Sequence, residues 1–164
     1  MRNLKVGDNG YAPSGTGNTT KVPMPYEDPK NPNIIYYDLP GFATLEFNKE
    51  NYVKDMALYD YDYFFILFDK VIGEDDYWVI TQLKELGKKF CLVRSKIDED
   101  INNAKYDGAD ENDVIPTIRQ KIDQDLHLRN YSLLENREAI FVISSRNKRL
   151  GDMDALVNHM EANL

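Results

Sequence analysis

Three short segments of this chain carry residue types able to do chemistry, and each directly follows an apolar run. Asp38-Leu39-Pro40-Gly41 comes after Ile34-Ile35-Tyr36-Tyr37. An aspartate placed there can reach a magnesium ion, usually through water, because a hard cation takes oxygen ligands. A glycine three residues on lets its backbone N–H approach a γ-phosphate with no side chain in the way. Asp, Pro and Gly are equally the makers of a plain turn, so the segment alone leaves both readings open. Ser95-Lys96-Ile97-Asp98 follows the run from Phe90 to Arg94. One carboxylate can accept from both the N1–H and the exocyclic amine of guanine, a charge-assisted bidentate contact that adenine does not offer. The Lys96 stem would then lie along the purine face, and Ser95 would tie neighbouring loops. The bland alternative is a solvated charged loop, since Asp98-Glu99-Asp100 continues as an acidic run. Ser144-Ser145-Arg146-Asn147 follows Ile143. Its backbone N–H groups and small side chains could close over a base oxygen, although an ordinary loop looks the same.

Such segments act only if something sets them side by side. Ile34 to Tyr37, Tyr61 to Phe68, Phe90 to Val93 and Ala139 to Ile143 are continuous apolar runs. Unbroken runs are what strands covered on both faces require, whereas one-sided strands alternate. Between them lie helical spacings. Glu50 to Tyr59 places Tyr52, Val53, Met56 and Ala57 together; Asp75 to Lys88 aligns Trp78, Val79, Gln82, Leu83 and Leu86, with Gly87 as terminator. Val114 to Leu126 and Asp152 to Leu164 repeat the pattern, the latter capped by Asp152. Strand and helix in alternation predict an α/β fold, a mostly parallel sheet with helices on both faces. Ligands of such sheets bind at the carboxyl ends of the strands, where all three segments fall. Residues 1–33 differ in character. They are rich in turn formers, and Thr19 to Tyr26, broken by Pro23 and Pro25, suits only a sheet edge. The chain therefore divides into a loop and edge strand over 1–33 and regular βα units over 34–164, with no internal repeat.

The bulk properties narrow the function. At 164 residues, one domain with a real core is expected. A net charge of −8 without a local basic run argues against nucleic acid as a partner, because phosphate-backbone binding needs clustered cations. The single Cys91 sits in an apolar run and reads as a core residue in a reducing compartment. No apolar stretch approaches the length of a membrane span, and the opening residues carry no apolar signal-like core, so the chain reads as cytosolic. His127 and His159 have no partner at metal-ligand spacing, Trp78 reads as core, and Asp107 to Asp113 reads as a solvated loop.

The order of the segments is more telling than any one of them. A strand with Asp-x-x-Gly, a strand, a strand with [Asn/Thr/Ser]-Lys-x-Asp and a strand with a serine-rich loop is the layout of a P-loop-NTPase-like G domain. The chain resembles the immunity-related (interferon-inducible) GTPase family at Tyr11-Ala12-Pro13-Ser14-Gly15, Thr19-Thr20, Pro25-Tyr26, Pro29, Pro32-Asn33 and Asp38-Leu39-Pro40-Gly41. Asp60-Tyr61-Asp62-Tyr63-Phe64-Phe65-Ile66 and Val93-Arg94-Ser95-Lys96-Ile97-Asp98-Glu99-Asp100-Ile101 continue the similarity, which runs over essentially the whole chain. The resemblance implies a dynamin-like, membrane-associated GTPase that binds GTP and GDP with Mg2+, self-associates through its G domain and acts in cell-autonomous immunity. It implies a cytoplasmic protein held peripherally on a membrane through regions outside this chain. Carried onto these residues, it gives Asp38 to the magnesium ion and Gly41 to the γ-phosphate. Ser14 or Thr16, with Thr19 and Thr20, would lie in the first switch loop. Ser95, Lys96 and Asp98 would read guanine, with Ser144 and Ser145 flanking the base.

Two departures stand out. The sequence contains no Gly-x-x-x-x-Gly-Lys-[Ser/Thr], the loop whose backbone N–H groups and lysine cradle the β-phosphate. In the family, Met1-Arg2-Asn3-Leu4 matches the end of the helix just beyond that loop, so the first strand and loop are expected upstream of a shortened chain. Phe42 follows Gly41, where Ras-like GTPases have a water-orienting glutamine, and a phenylalanine cannot orient water. Slow hydrolysis by this chain alone is expected. Two other readings compete: a pseudo-GTPase interaction module with little nucleotide binding, and a receiver-like domain with Asp38 as phosphoacceptor and Lys96 as its cation. The last lacks the paired acids near its first strand that would hold magnesium.

Overall fold

A computed structural model describes residues 22–41, 49–129 and 139–163, and the chain divides into two compact units, Met1–Asp60 and Tyr61–Leu164. In the first unit, strand β1 (Met24–Glu27) pairs antiparallel with β2 (Ile35–Asp38), Met24 opposite Asp38 and Glu27 opposite Ile35. Pro25 is accommodated because, among the described residues, the ribbon has two strands and hence both are edges. Asp28 organises the connection. Its Oδ1 accepts from the N–H of Lys30 (2.8 Å) and of Asn31 (3.1 Å), and its Oδ2 from the Tyr36 hydroxyl at 3.0 Å. Burial alone would raise this carboxyl; the Lys30 N–H, the Tyr36 hydroxyl and the Asn31 N–H outweigh it and hold Asp28 below its ordinary pKa. Helix α1 (Lys49–Asp55) buries Tyr52, followed by buried Met56, and the Tyr52 hydroxyl donates to the Pro40 carbonyl at 2.6 Å.

The second unit holds a parallel sheet in the order β3 (Tyr63–Phe68), β4 (Lys89–Arg94), β5 (Ile140–Val142). Tyr63 lies opposite Lys89, and Leu92 opposite Ile140. Side chains of a strand alternate between faces, and this register sorts them cleanly. Cys91, Val93, Phe141 and Ile143 form one buried face, on which Met153 and Leu156 of helix α5 (Met153–Asn163) pack. Phe64, Ile66, Phe68, Phe90, Leu92 and Val142 belong to the other face and are buried too, which is why these runs do not alternate in the sequence. Cys91 is fully buried, and burial pushes its thiol up to about 11 despite an opposing hydrogen bond with Tyr63.

Helix α2 (Glu74–Glu85) crosses from β3 to β4. It ends in a left-handed Gly87 (φ +66°), with the Gly87 N–H on the Lys84 carbonyl and the Lys88 N–H on the Leu83 carbonyl, a Schellman closure. Its buried stripe is Ile80 and Leu83; of the stripe expected, Leu83 is buried, Trp78 only partly covered and Leu86 exposed. Helix α3 (Ile97–Tyr106) occupies the acidic run that reads as a loop in the sequence. Ile97 and Ile101 bury one side of it, while Asp98, Glu99 and Asp100 sit in the first turn, where acids complement the positive helix end. A 3-10 turn over Glu111–Asp113 leads into α4 (Val114–Leu128), whose Ile122 and Leu126 are buried. Asp152 precedes α5, but its Oδ2 accepts from the Val142 N–H (2.8 Å) and from Arg119 of α4. Next to it, Gly151 has φ +71°, and a Cβ there would stand 2.0 Å from the Val142 carbonyl oxygen.

Candidate functional site at the carboxyl ends of the sheet

All three strands of the second unit run the same way, so the residues leaving β3, β4 and β5 emerge at one end. Ser95 leaves β4 with its N–H (2.8 Å) and its hydroxyl (3.2 Å) both on the Phe68 carbonyl, which ties this loop to the end of β3. Lys96 has φ 60° and ψ 30°, left-handed and uncommon for a residue with a side chain. Its Nζ meets Asp69 Oδ2 at 3.0 Å, so the lysine stem reaches from the end of β4 to the end of β3. The lysine's hydrogen bond and charge draw the Asp69 carboxyl below its ordinary pKa against a smaller opposing effect of burial. Ile97 donates to the Ile143 carbonyl at 3.3 Å, the matching tie to β5.

Asp98 sits inside the first turn of α3. Its Oδ1 accepts from the hydroxyl of fully buried Ser144 at 2.7 Å, and the Ser144 oxygen accepts from the Asn147 N–H at 3.0 Å. Asp98 Oδ2 lies 3.8 Å from the guanidinium of exposed Arg146, which also lies 3.5 Å from Glu99. A carboxylate has about four lone-pair sites, so these contacts leave Asp98 room to accept further donors. Ser145 is exposed beside Ser144. Ser95, Lys96, Asp98, Ser144 and Ser145 are thus gathered at one end of the sheet. Asp38 and Gly41 belong to the first unit, at the exit of β2, and a Cβ on Gly41 would meet no atom of the described residues within 4 Å. Ser14, Thr16, Thr19 and Thr20 lie outside the described residues.

The sequence reading missed Asp69 and the pairing of Arg94 with Asp100. Arg94, the last residue of β4, is 3% exposed, and its Nη2 meets Asp100 Oδ2 at 2.6 Å. An arginine closing an apolar strand with an acid six residues later was the available signal. Among the described residues, no group of three or more His, Cys, Asp or Glu could hold a metal ion, and no helix is long and apolar enough to cross a membrane.

A parallel α/β sheet flanked by helices, with Ser-Lys-x-Asp and a buried serine meeting at its carboxyl end, defines a fragment of the P-loop GTPase-like class. The chain belongs to the interferon-inducible GTPase (IIGP) family, whose model matches residues 1–164. It is 30% identical over 148 residues to the T-cell-specific guanine nucleotide triphosphate-binding protein 2 of Mus musculus, covering 88% of this chain and 35% of that protein. It is 32% identical over 148 residues to the Interferon-gamma-inducible GTPase 10 of Mus musculus, covering 88% and 34%. Over 167 residues it is 30% identical to the Interferon-inducible GTPase 5 of Rattus norvegicus, covering 100% and 35%. The chain thus spans about a third of the length of these curated relatives.

Proposed function

We propose that the chain supplies the base-reading and switch segments of a guanine-nucleotide site in a GTP-binding, GTP-hydrolysing protein. The observation that carries this reading is the 2.7 Å bond between Ser144 and Asp98, residues 46 apart in sequence. It holds a carboxylate at the sheet's ligand-binding end with acceptor capacity to spare for the two donors on guanine's edge. The names of the relatives, a guanine nucleotide triphosphate-binding protein and two interferon-inducible GTPases, support the same ligand.

The residues fit the implied partners. Guanine would take Asp98 at its edge and the Lys96 stem on its face, with Ser95, Ser144 and Ser145 framing the slot. Mg2+ keeps several waters and phosphate oxygens and needs only one or two carboxylates, which suits Asp38. A glycine at 41 would let a phosphate approach the backbone with no side chain in the way. Bound Mg2+ would neutralise phosphate charge; Asp38 would orient its water shell. Phe42 offers no general base, so hydrolysis would be promoted by self-association through the G domain. The wider role in this reading is that of a dynamin-like protein of cell-autonomous immunity. It would be cytoplasmic and held peripherally on a membrane through segments beyond these 164 residues.

The experiment is an equilibrium titration with fluorescent GDP. Binding is expected to weaken by about tenfold or more in Asp98→Ala, the value of a hydrogen bond to a charged group. Binding indifferent to Asp98 would remove the guanine reading. Undetectable binding would favour a second reading, a pseudo-GTPase interaction module.

A further inference from the structure

Between Arg94 and Asp100 the chain holds three features that cost stability. Lys96 is left-handed, a conformation that disfavours any residue with a Cβ. The Nε–H of the buried Arg94 has no hydrogen-bond partner among the described residues. The guanidinium has left water to pair with Asp100, an arrangement that apolar side chains of similar volume commonly replace with no loss of stability. Features of this kind persist where they serve something other than stability.

Their geometry shows what they serve. Arg94 Nη1 donates to the Ser95 carbonyl, and Nη2 donates to Asp100 Oδ2. The two acceptors flank Lys96 and Asp98, so one rigid, planar fork spans the turn that carries both. A lysine, with a single ammonium on a flexible stem, does not reproduce that span. The Ser95 and Ile97 N–H groups of the same turn donate to the Phe68 and Ile143 carbonyls, so their exchange reports whether the turn holds its place.

We propose that Arg94 and Asp100 are positioning residues for base selection: their paired side chains clamp the turn that presents Lys96 and Asp98. The proposal rests on the guanine reading for what is selected, but the clamp itself is testable without nucleotide. In the full chain, Arg94→Met with Asp100→Asn removes both charges together. The double variant should melt at the same temperature or higher. Its preference for fluorescent GDP over the inosine diphosphate analogue, which lacks the exocyclic amine, should fall about tenfold towards unity. Hydrogen exchange at the Ser95 and Ile97 amides should quicken at least about tenfold while Leu92 and Val93 keep their protection. Arg94→Lys, which keeps the charge and loses the fork, should show the same two losses and serves as the second variant should the first not fold. An unchanged nucleotide preference, or unchanged exchange at Ser95 and Ile97, would overturn the proposal. A wild-type chain that does not tell GDP from the inosine analogue would instead defeat the guanine reading, and exchange at Ser95 and Ile97 would still decide the clamp.

Discussion

The Ser144 hydroxyl satisfies two groups at once, donating to Asp98 and accepting from the Asn147 N–H in a fully buried position. Ser144→Ala should therefore lower stability by about 1–3 kcal/mol, the cost of partners left unsatisfied, and chemical denaturation measures it. Cys91 gives a pH signature. Its folded pKa, about 11, lies above that of an exposed thiol, so stability conferred by the protonated form is complete below the unfolded value of about 8.5. It is lost as pH rises through about 11, and between the two values the unfolded chain binds fewer protons. Denaturation midpoints should fall over that window and fall less in Cys91→Ala, which separates the thiol from the ionising tyrosines. The placement of Lys96, Asp98 and Ser144 at the exits of β4 and β5 was legible in the sequence because their segments directly follow apolar runs. Asp69 was not, since its partner Lys96 lies 27 residues away, a distance no local pattern spans.

The sharpest contrast among the elements is between two left-handed glycines. Gly87 closes α2 with none of the described residues near the place a Cβ would occupy, so Gly87→Ala should cost only about 1–2 kcal/mol of backbone strain. Gly151 stands against the Val142 carbonyl and Ile97 Cδ1, so Gly151→Ala adds a backbone clash to the strain and should cost over about 3 kcal/mol. Comparable melting of the two variants would contradict this packing. The strands were legible from their unbroken apolar runs, and the starts and ends of α2 and α4 fell within a few residues of expectation. Helix α3 was not legible as a helix, because three consecutive acids concealed the Ile97 and Ile101 pair that anchors it. The Ile34 to Tyr37 run was expected beside parallel strands; Ile35–Asp38 instead pairs antiparallel, because the Asp28 turn folds the chain straight back.

For the whole molecule, charge and edge properties pull in opposite directions. A net charge of −8 keeps copies apart. Strand β3, however, pairs only with β4 among the described residues, and it leaves Leu67 61% and nearby Val71 66% exposed. Apolar edges of this kind template association. Leu67→Lys should shift the chain towards monomer in sedimentation velocity, and an unchanged distribution would exonerate that edge. The organisation of the sheet also says where the molecule has freedom. Helix α3 starts at the carboxyl end of the sheet and finishes in Gly108 (φ +73°), where a Cβ would meet no atom of the described residues within 4 Å. The exposed Ala109 and Asp110 beyond it bond locally, the Ala109 N–H donating to the Ala104 carbonyl and the Asp110 carboxylate accepting from the Asn112 N–H. Here a foreign peptide or a reporter can be spliced into the chain while the turn from Ser95 to Asp98, at the opposite end of the same helix, keeps its lengths and its geometry.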